Sequence, residues 1–88
     1  MAIQFTFTDR FNKHFALLTD NEKQQLRNKL NLLAQNPLHP SLRTKRIKGT
    51  EDLFECSVNM DVRIIWYYEG STMIVLVDVG HHDILRKY

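Results

Sequence analysis

Two neighbouring stretches decide the fold: DVRIIWYY, residues 61–68, and TMIVLVDV, residues 72–79. The first is rich in branched and aromatic residues, and the second is apolar on both faces apart from Asp78. The segment between them, Glu69-Gly70-Ser71, has the composition of a hairpin loop. Strands that are apolar on both faces lie in the centre of a sheet. The sequence therefore predicts two central strands, covered by helices on one face and by something else on the other.

The first part of the chain predicts a strand and two helices. Apolar and polar residues alternate over residues 3–8, which is typical of a half-buried strand. Thr8 has a side chain suited to a helix N-cap. Thr19 and Glu22 match a capping box, so a second helix begins there and runs to about Gln35 before an Asn-Pro pair. The apolar face of the first helix consists of Phe11, Phe15 and Leu18.

Shorter strands complete the chain. Residues 44–48 form a basic strand candidate that stops at Gly49, and residues 53–58 alternate in polarity before a turn at residues 59–61. The predicted order is β-α-α-β-β-β-β. We therefore expect one small α+β domain over residues 1–88, with an antiparallel sheet and a helical hairpin packed on one face.

Charge is unevenly distributed, although the net charge of the 88 residues is only +2. Residues 39–48 contain four cations and no acid, whereas residues 49–61 contain four acids and no base. A local cationic patch is typical of phosphate binding, although a solvated strand or loop face has the same composition. The candidate phosphate contacts in this patch are Arg43, Lys45, Arg46 and Lys48.

Composition excludes several classes of protein. The hydrophobic content of 43% is that of a globular domain, and the apolar run of residues 73–77 is too short to span a bilayer. Cys56 is the single cysteine, which excludes an internal disulfide, and its alternation with Phe54 and Val58 predicts a core position. The start of the chain lacks a signal-peptide pattern, so we expect a cytoplasmic protein. Potential ligands lack a metal-binding spacing, and we expect no metal and no cofactor.

Three segments, on this order of elements, resemble the RelE/ParE superfamily of bacterial toxins. The first is LHPSL, residues 38–42, followed by the basic strand up to Gly49. The second begins at LFEC, residues 53–56, and continues through Arg63 into the aromatic strand. The third is VDVGHHD, residues 77–83. The resemblance spans essentially the whole chain.

The resemblance implies one of two activities. RelE-like toxins cleave messenger RNA, usually on the ribosome and without a metal, by attack of a ribose 2′-hydroxyl on the adjacent phosphorus. ParE-like toxins instead inhibit DNA gyrase. Both are held inactive by an antitoxin, so the expected partner is a cognate acidic antitoxin in a hetero-oligomer. We expect first a ribosome-dependent endoribonuclease, then a gyrase inhibitor, then an inactive homologue that only binds its antitoxin.

Arg63 and His82 are the first candidates for catalysis. Arg63 matches the family arginine that contacts the scissile phosphate, and an ion pair with Glu55 or Asp78 is its alternative role. His82 matches a histidine after the closing strand of several RelE-like nucleases, where imidazole can act as acid or base. An exposed histidine without a role is the alternative. Adjacent residues of an extended chain face opposite sides, so His81 is the reserve.

The tail and the far face of the sheet complete the expectations. Tyr88 is a candidate for stacking a base or donating a proton, although Leu85 and Arg86 occupy the place where the family often carries an aromatic residue. Arg86 is a further candidate phosphate contact. The far apolar face of the sheet needs a cover, which we expect to be an antitoxin segment or a second copy of the chain. Acidic residues of the partner should then face residues 43–48.

Overall fold

A computed structural model describes residues 3–50, 52–81 and 83–84 of the chain. The elements are β1 (Gln4–Phe7), α1 (Asp9–Phe15), α2 (Asp20–Gln35), a 3-10 helix (Pro40–Leu42), β2 (Lys45–Arg46), β3 (Phe54–Ser57), β4 (Val62–Glu69) and β5 (Met73–His81). This is the predicted element order, and it confirms the α+β class.

The five strands form one sheet in the order β1-β5-β4-β3-β2. The pairs from β2 to β5 are antiparallel, as predicted. The sheet differs from the expected one at one edge, since β1 pairs with β5 in parallel, with Gln4 opposite Met73. No hairpin turn sets this pairing, because α1, α2 and three strands lie between β1 and β5 in the chain.

Both helices begin with the predicted caps. The Thr8 hydroxyl accepts a hydrogen bond from the Phe11 amide at 3.0 Å. At the start of α2 the Thr19 hydroxyl accepts from the Glu22 amide at 3.1 Å, and the Glu22 carboxylate accepts from the Thr19 amide at 2.9 Å. These reciprocal bonds satisfy two of the donors that a helix start leaves unpaired, so the capping box is confirmed.

The core lies between the helices and the sheet. Leu26 and Leu33 of α2 are fully buried in a cluster that also includes Trp66. Cys56 is a core residue, and burial raises the pKa of its thiol to about 12. No helix within the described ranges is long and apolar enough to cross a membrane.

The far face of the sheet is less open than expected. Along β4, Ile65 alternates with Ile64 and Trp66, which belong to the main core cluster on the helix side, whereas Ile65 and Val75 do not. Ile65 is nevertheless fully buried, and Val75 is only 5% exposed. The predicted need for a partner to cover this face therefore does not hold at these two positions. Two strand lengths also differ from the prediction: β2 spans only two residues, and β5 extends through His81.

Candidate phosphate-binding site

A cavity of about 210 Å³ opens where β3 turns into β4. Four elements meet there: α2, the 3-10 helix with the residue after it, the end of β3, and the start of β4. We call this site the cationic cavity, and it is lined by Lys29, Ser41, Arg43, Ser57, Val58, Asn59, Met60 and Arg63. Three of its side chains are cations and none is a carboxylate.

Asn59 holds the turn that shapes the cavity. Its side-chain oxygen accepts hydrogen bonds from the amides of Asp61 and Val62, both at 2.8 Å. Its side-chain nitrogen donates to the Gln25 side chain at 2.7 Å, which ties the turn to α2. The turn predicted from residues 59–61 is thus confirmed, and Asp61 is exposed within it.

Arg63 is half-buried at the wall of the cavity. Its Nη1 donates to the Asn59 carbonyl at 2.7 Å and to the Val62 carbonyl at 3.2 Å. The alternative partners are engaged elsewhere: Glu55 lies 3.8 Å from the Lys45 ammonium, and Asp78 lies 2.5 Å from the His14 ring. No ion pair of Arg63 with a carboxylate is found in the described part of the chain. Its guanidinium is therefore oriented by backbone carbonyl groups.

Lys29 is the cation of the cavity that the sequence interpretation missed. It lies on α2, where its ammonium is 3.4 Å from the Ser41 carbonyl. The sequence contained a signal for this position, because Lys29 follows the apolar Leu26 by three residues and precedes the apolar Leu33 by four. That spacing places it beside the apolar stripe of the helix rather than on its solvent face.

Arg43, which lines the cavity, has an uncommon backbone conformation. It follows the 3-10 helix with φ of 51° and ψ of 42°, in the left-handed region. Its amide donates to the Pro40 carbonyl at 3.2 Å, which closes that helix. Few residues other than glycine, asparagine and aspartate adopt this conformation.

The other predicted phosphate contacts lie apart from the cavity. On β2, Lys45 faces Glu55, whereas the Arg46 guanidinium lies 5.5 Å from the centre of the Phe54 ring. Lys48 is exposed beyond the strand. Successive residues of a strand face opposite sides, which separates Lys45 from Arg46. Of the four cations in residues 39–48, only Arg43 lines the same cavity as Arg63.

His81 and Arg63 do not meet. In the pairing of β4 with β5, His81 is opposite Val62, a core residue, and Arg63 is opposite Gly80. Because opposite residues share a face of the sheet and neighbours alternate, His81 and Arg63 belong to different faces. The His81 ring is 3.2 Å from the Glu22 carboxylate at the start of α2. The pKa of Glu22 is lowered chiefly by the hydrogen bond from the Thr19 amide, with a smaller contribution from His81. His82, Arg86 and Tyr88 lie outside the described residues.

No group of three or more His, Cys, Asp or Glu side chains in the described ranges could hold a metal ion. The cationic cavity has the opposite chemistry, since its lining includes ammonium, guanidinium and hydroxyl groups. Such a set of donors suits an anion with several oxygens, such as a phosphate group.

Several solved structures that share this fold come from bacterial and archaeal toxin–antitoxin systems. The Escherichia coli DinJ–YafQ toxin–antitoxin complex contains a chain with a TM-score of 0.78 and 17% identity, covering 97% of this chain and 98% of that one. The archaeal RelE–RelB complex from Pyrococcus horikoshii gives 0.75 and 15%, covering 92% and 96%. The YoeB/ParE toxin from Agrobacterium tumefaciens gives 0.79 and 12%, covering 91% and 99%. A search of curated proteins finds no significant match.

The fold and the sequence define a toxin of the RelE/ParE superfamily, as the sequence resemblance implied. More narrowly, the sequence profile of the YafQ toxins of bacterial type II toxin–antitoxin systems matches residues 3–87, and the chain belongs to that family.

Proposed function

We propose that this toxin is a metal-independent endoribonuclease that cleaves messenger RNA on the ribosome. The observation that supports this best is the cationic cavity, in which Arg63 lies beside two further cations without a carboxylate. A gyrase inhibitor would need a protein-binding surface but no phosphate-binding cavity. RNA cleavage needs positive charge around a phosphorus atom that becomes more negative in the transition state.

The proposed reaction assigns a role to each group. A base takes the proton of the ribose 2′-hydroxyl, the 2′-oxygen attacks the adjacent phosphorus, and the bond from phosphorus to the 5′-oxygen breaks. An acid protonates the departing 5′-oxygen, leaving a 2′,3′-cyclic phosphate and a free 5′-hydroxyl. Arg63 would stabilise the charge on the phosphorus oxygens. We assign the acid or base role to His82 rather than His81, because His81 faces Glu22. Tyr88 and Arg86 stay candidates for base stacking and phosphate binding.

Induced expression of the wild type beside Arg63→Ala and His82→Ala tests this function, with messenger RNA 5′ ends mapped by primer extension. We expect growth arrest and new 5′ ends with the wild type, and a loss of about 10²–10³-fold in cleavage when a group that stabilises transition-state charge is removed. Lys13→Ala, at an exposed lysine of α1 outside the cavity, serves as the control and should cleave normally. Arrest without new 5′ ends would contradict the nuclease and favour the gyrase inhibitor.

We also propose that a cognate acidic antitoxin holds the toxin inactive, as the two complexes with RelB and DinJ suggest. A cavity of about 330 Å³, here the aromatic groove, is lined by Phe7, Phe11, Asn12, Phe15, Arg27 and Leu30. Phe7 is 45% exposed. The cationic ends of Lys23 and Arg27 lie 5.5 and 6.0 Å from the centre of the Phe15 ring. An apolar groove with cations at its edge fits an acidic amphipathic segment.

Calorimetric titration of the antitoxin into the toxin tests the groove. Phe7→Ser should weaken binding by about tenfold or more, because an aromatic anchor that becomes buried at an interface contributes about 2 kcal/mol. Leu38→Ser is the matched control, since Leu38 is 72% exposed and lies outside the groove. Equal losses from both substitutions would count against the groove as the specific contact.

A further inference from the structure

The cationic cavity contains more positive charge than a single catalytic arginine requires. Lys29, Arg43 and Arg63 come from α2, from the residue after the 3-10 helix, and from β4. Three like charges at one site repel each other unless an anion lies between them.

The described carboxylates with ion pairs lie elsewhere. Glu55 is close to Lys45, and Glu22 is close to His81. Lys29 and Arg63 instead donate to backbone carbonyls, of Ser41 and Asn59 respectively. Within the described ranges, neither forms an ion pair. A carbonyl orients a cation but does not neutralise it, so the charges stay available to a ligand.

The rest of the lining suits an anion of the size of a phosphate group. Ser57 adds a hydroxyl group, whereas the Ser41 hydroxyl lies 2.9 Å from the His39 ring. The Asn59 turn fixes the wall near Arg63. The volume of about 210 Å³ is large enough for one such group. Arg43, the most exposed of the three cations, is held in its left-handed conformation at the rim.

We propose that Lys29 and Arg43 bind one backbone phosphate of the RNA in the cationic cavity, beside Arg63. This inference deepens the proposed function and rests on it for the identity of the ligand. Lys29 supplies charge from the helical layer and Arg43 from the rim, so the phosphate is held from two sides. The two residues position the RNA and do not exchange protons with it.

Binding of a single-stranded 2′-O-methyl RNA, measured at several salt concentrations, tests this role. The methyl groups remove the attacking hydroxyl, so binding is measured without cleavage. Lys29→Gln and Arg43→Asn should each weaken binding and reduce the slope of log affinity against log salt by about 0.7, the value for one lost phosphate contact on a single strand. Asn is chosen at position 43 because it tolerates the left-handed conformation. Lys13→Gln should keep the wild-type slope.

The outcomes separate the two proposals. A normal slope in both cavity variants, or no RNA binding by the wild type, would overturn the inference. Reduced slopes in a protein that never cleaves RNA would support the phosphate site and contradict the nuclease. A parallel titration with inorganic phosphate, followed by the amide NMR signals of Ser57 and Asn59, distinguishes the source. Shifts with phosphate but unchanged RNA slopes would indicate a site for free phosphate and would overturn the role in RNA binding.

Discussion

The cationic cavity and the aromatic groove share α2 but differ in their lining: three cations line the cavity, whereas aromatic and aliphatic side chains dominate the groove. Lys29 of α2 lines the cavity, and Leu30, the next residue, lines the groove. The three cations of the cavity are like charges, and like charges repel each other in proportion to their closeness. The groove lies against the hydrophobic core, since Phe11 at its base is only 2% exposed, whereas Phe7 at its rim is 45% exposed. Side chains in the cavity should therefore matter for binding, whereas the base of the groove matters for stability.

The largest expected effect is in the groove. Phe11→Ala should lower the free energy of unfolding by about 3–5 kcal/mol, because it removes a buried ring and leaves a void. Phe7→Ala should cost only about 1 kcal/mol, since roughly half of that side chain is already in water. Urea unfolding measures both. Similar losses from the two variants would show that the groove does not divide into a structural base and a binding rim.

A smaller effect of opposite sign is expected in the cavity. Lys29→Gln should raise the free energy of unfolding by about 0.5 kcal/mol at low salt, and the gain should disappear at 1 M salt as charges are screened. Lys45→Gln provides the contrast, because it removes the cation beside the buried Glu55 and should lower stability. Thermal unfolding at two salt concentrations gives both values. A loss of stability in Lys29→Gln would mean that its bond to Ser41 matters more than the repulsion.

The smallest effect concerns the start of α2, which supports both regions. The folded-state pKa of Glu22 is lowered, so its carboxylate stabilises the protein above its unfolded pKa of about 4.3. This stabilisation is lost as the pH falls through the lower folded value. Glu22→Gln keeps a side chain that can complete a capping box but removes the titration. Stability measured from pH 7 to pH 3 should therefore fall less steeply in this variant.

A matched control for the acid series is Glu69→Gln, at an exposed glutamate that ends β4. It should follow the wild-type curve. If Glu22→Gln also follows that curve, the cap of α2 does not contribute to acid sensitivity.

The sequence predicted the elements well because each depends on nearby residues. Thr19 and Glu22 are three positions apart, so their reciprocal bonds could be predicted without knowledge of the rest of the fold. The aromatic strand and the core position of Cys56 followed from alternation along a few residues. Arg63 was found through resemblance, and its alternative ion pairs could be tested only once Glu55 and Asp78 had been placed.

The remaining features depend on contacts between distant parts of the chain. Alternation places Lys45 and Arg46 on opposite faces of β2, but it cannot show which face has Glu55 and which has Phe54. Similarly, His81 was separated from Arg63 by the register of β4 with β5. The parallel edge of the sheet has the same origin, since no turn sequence connects β1 to β5.

By itself, the sequence determined the order of helices and strands, the helix starts, the buried strands and the superfamily. The elements, the helix starts and the buried strands follow from local hydrogen bonding and from the periodicity of apolar residues, which act over one to four positions. The superfamily was inferred from the resemblance of three segments of the sequence. Only the tertiary structure brought Lys29, Arg43 and Arg63 to one cavity. These residues lie 14 and 20 positions apart in the chain, and no local rule connects them. Their meeting depends on how α2 packs on the sheet and on how Asn59 ties the turn to that helix.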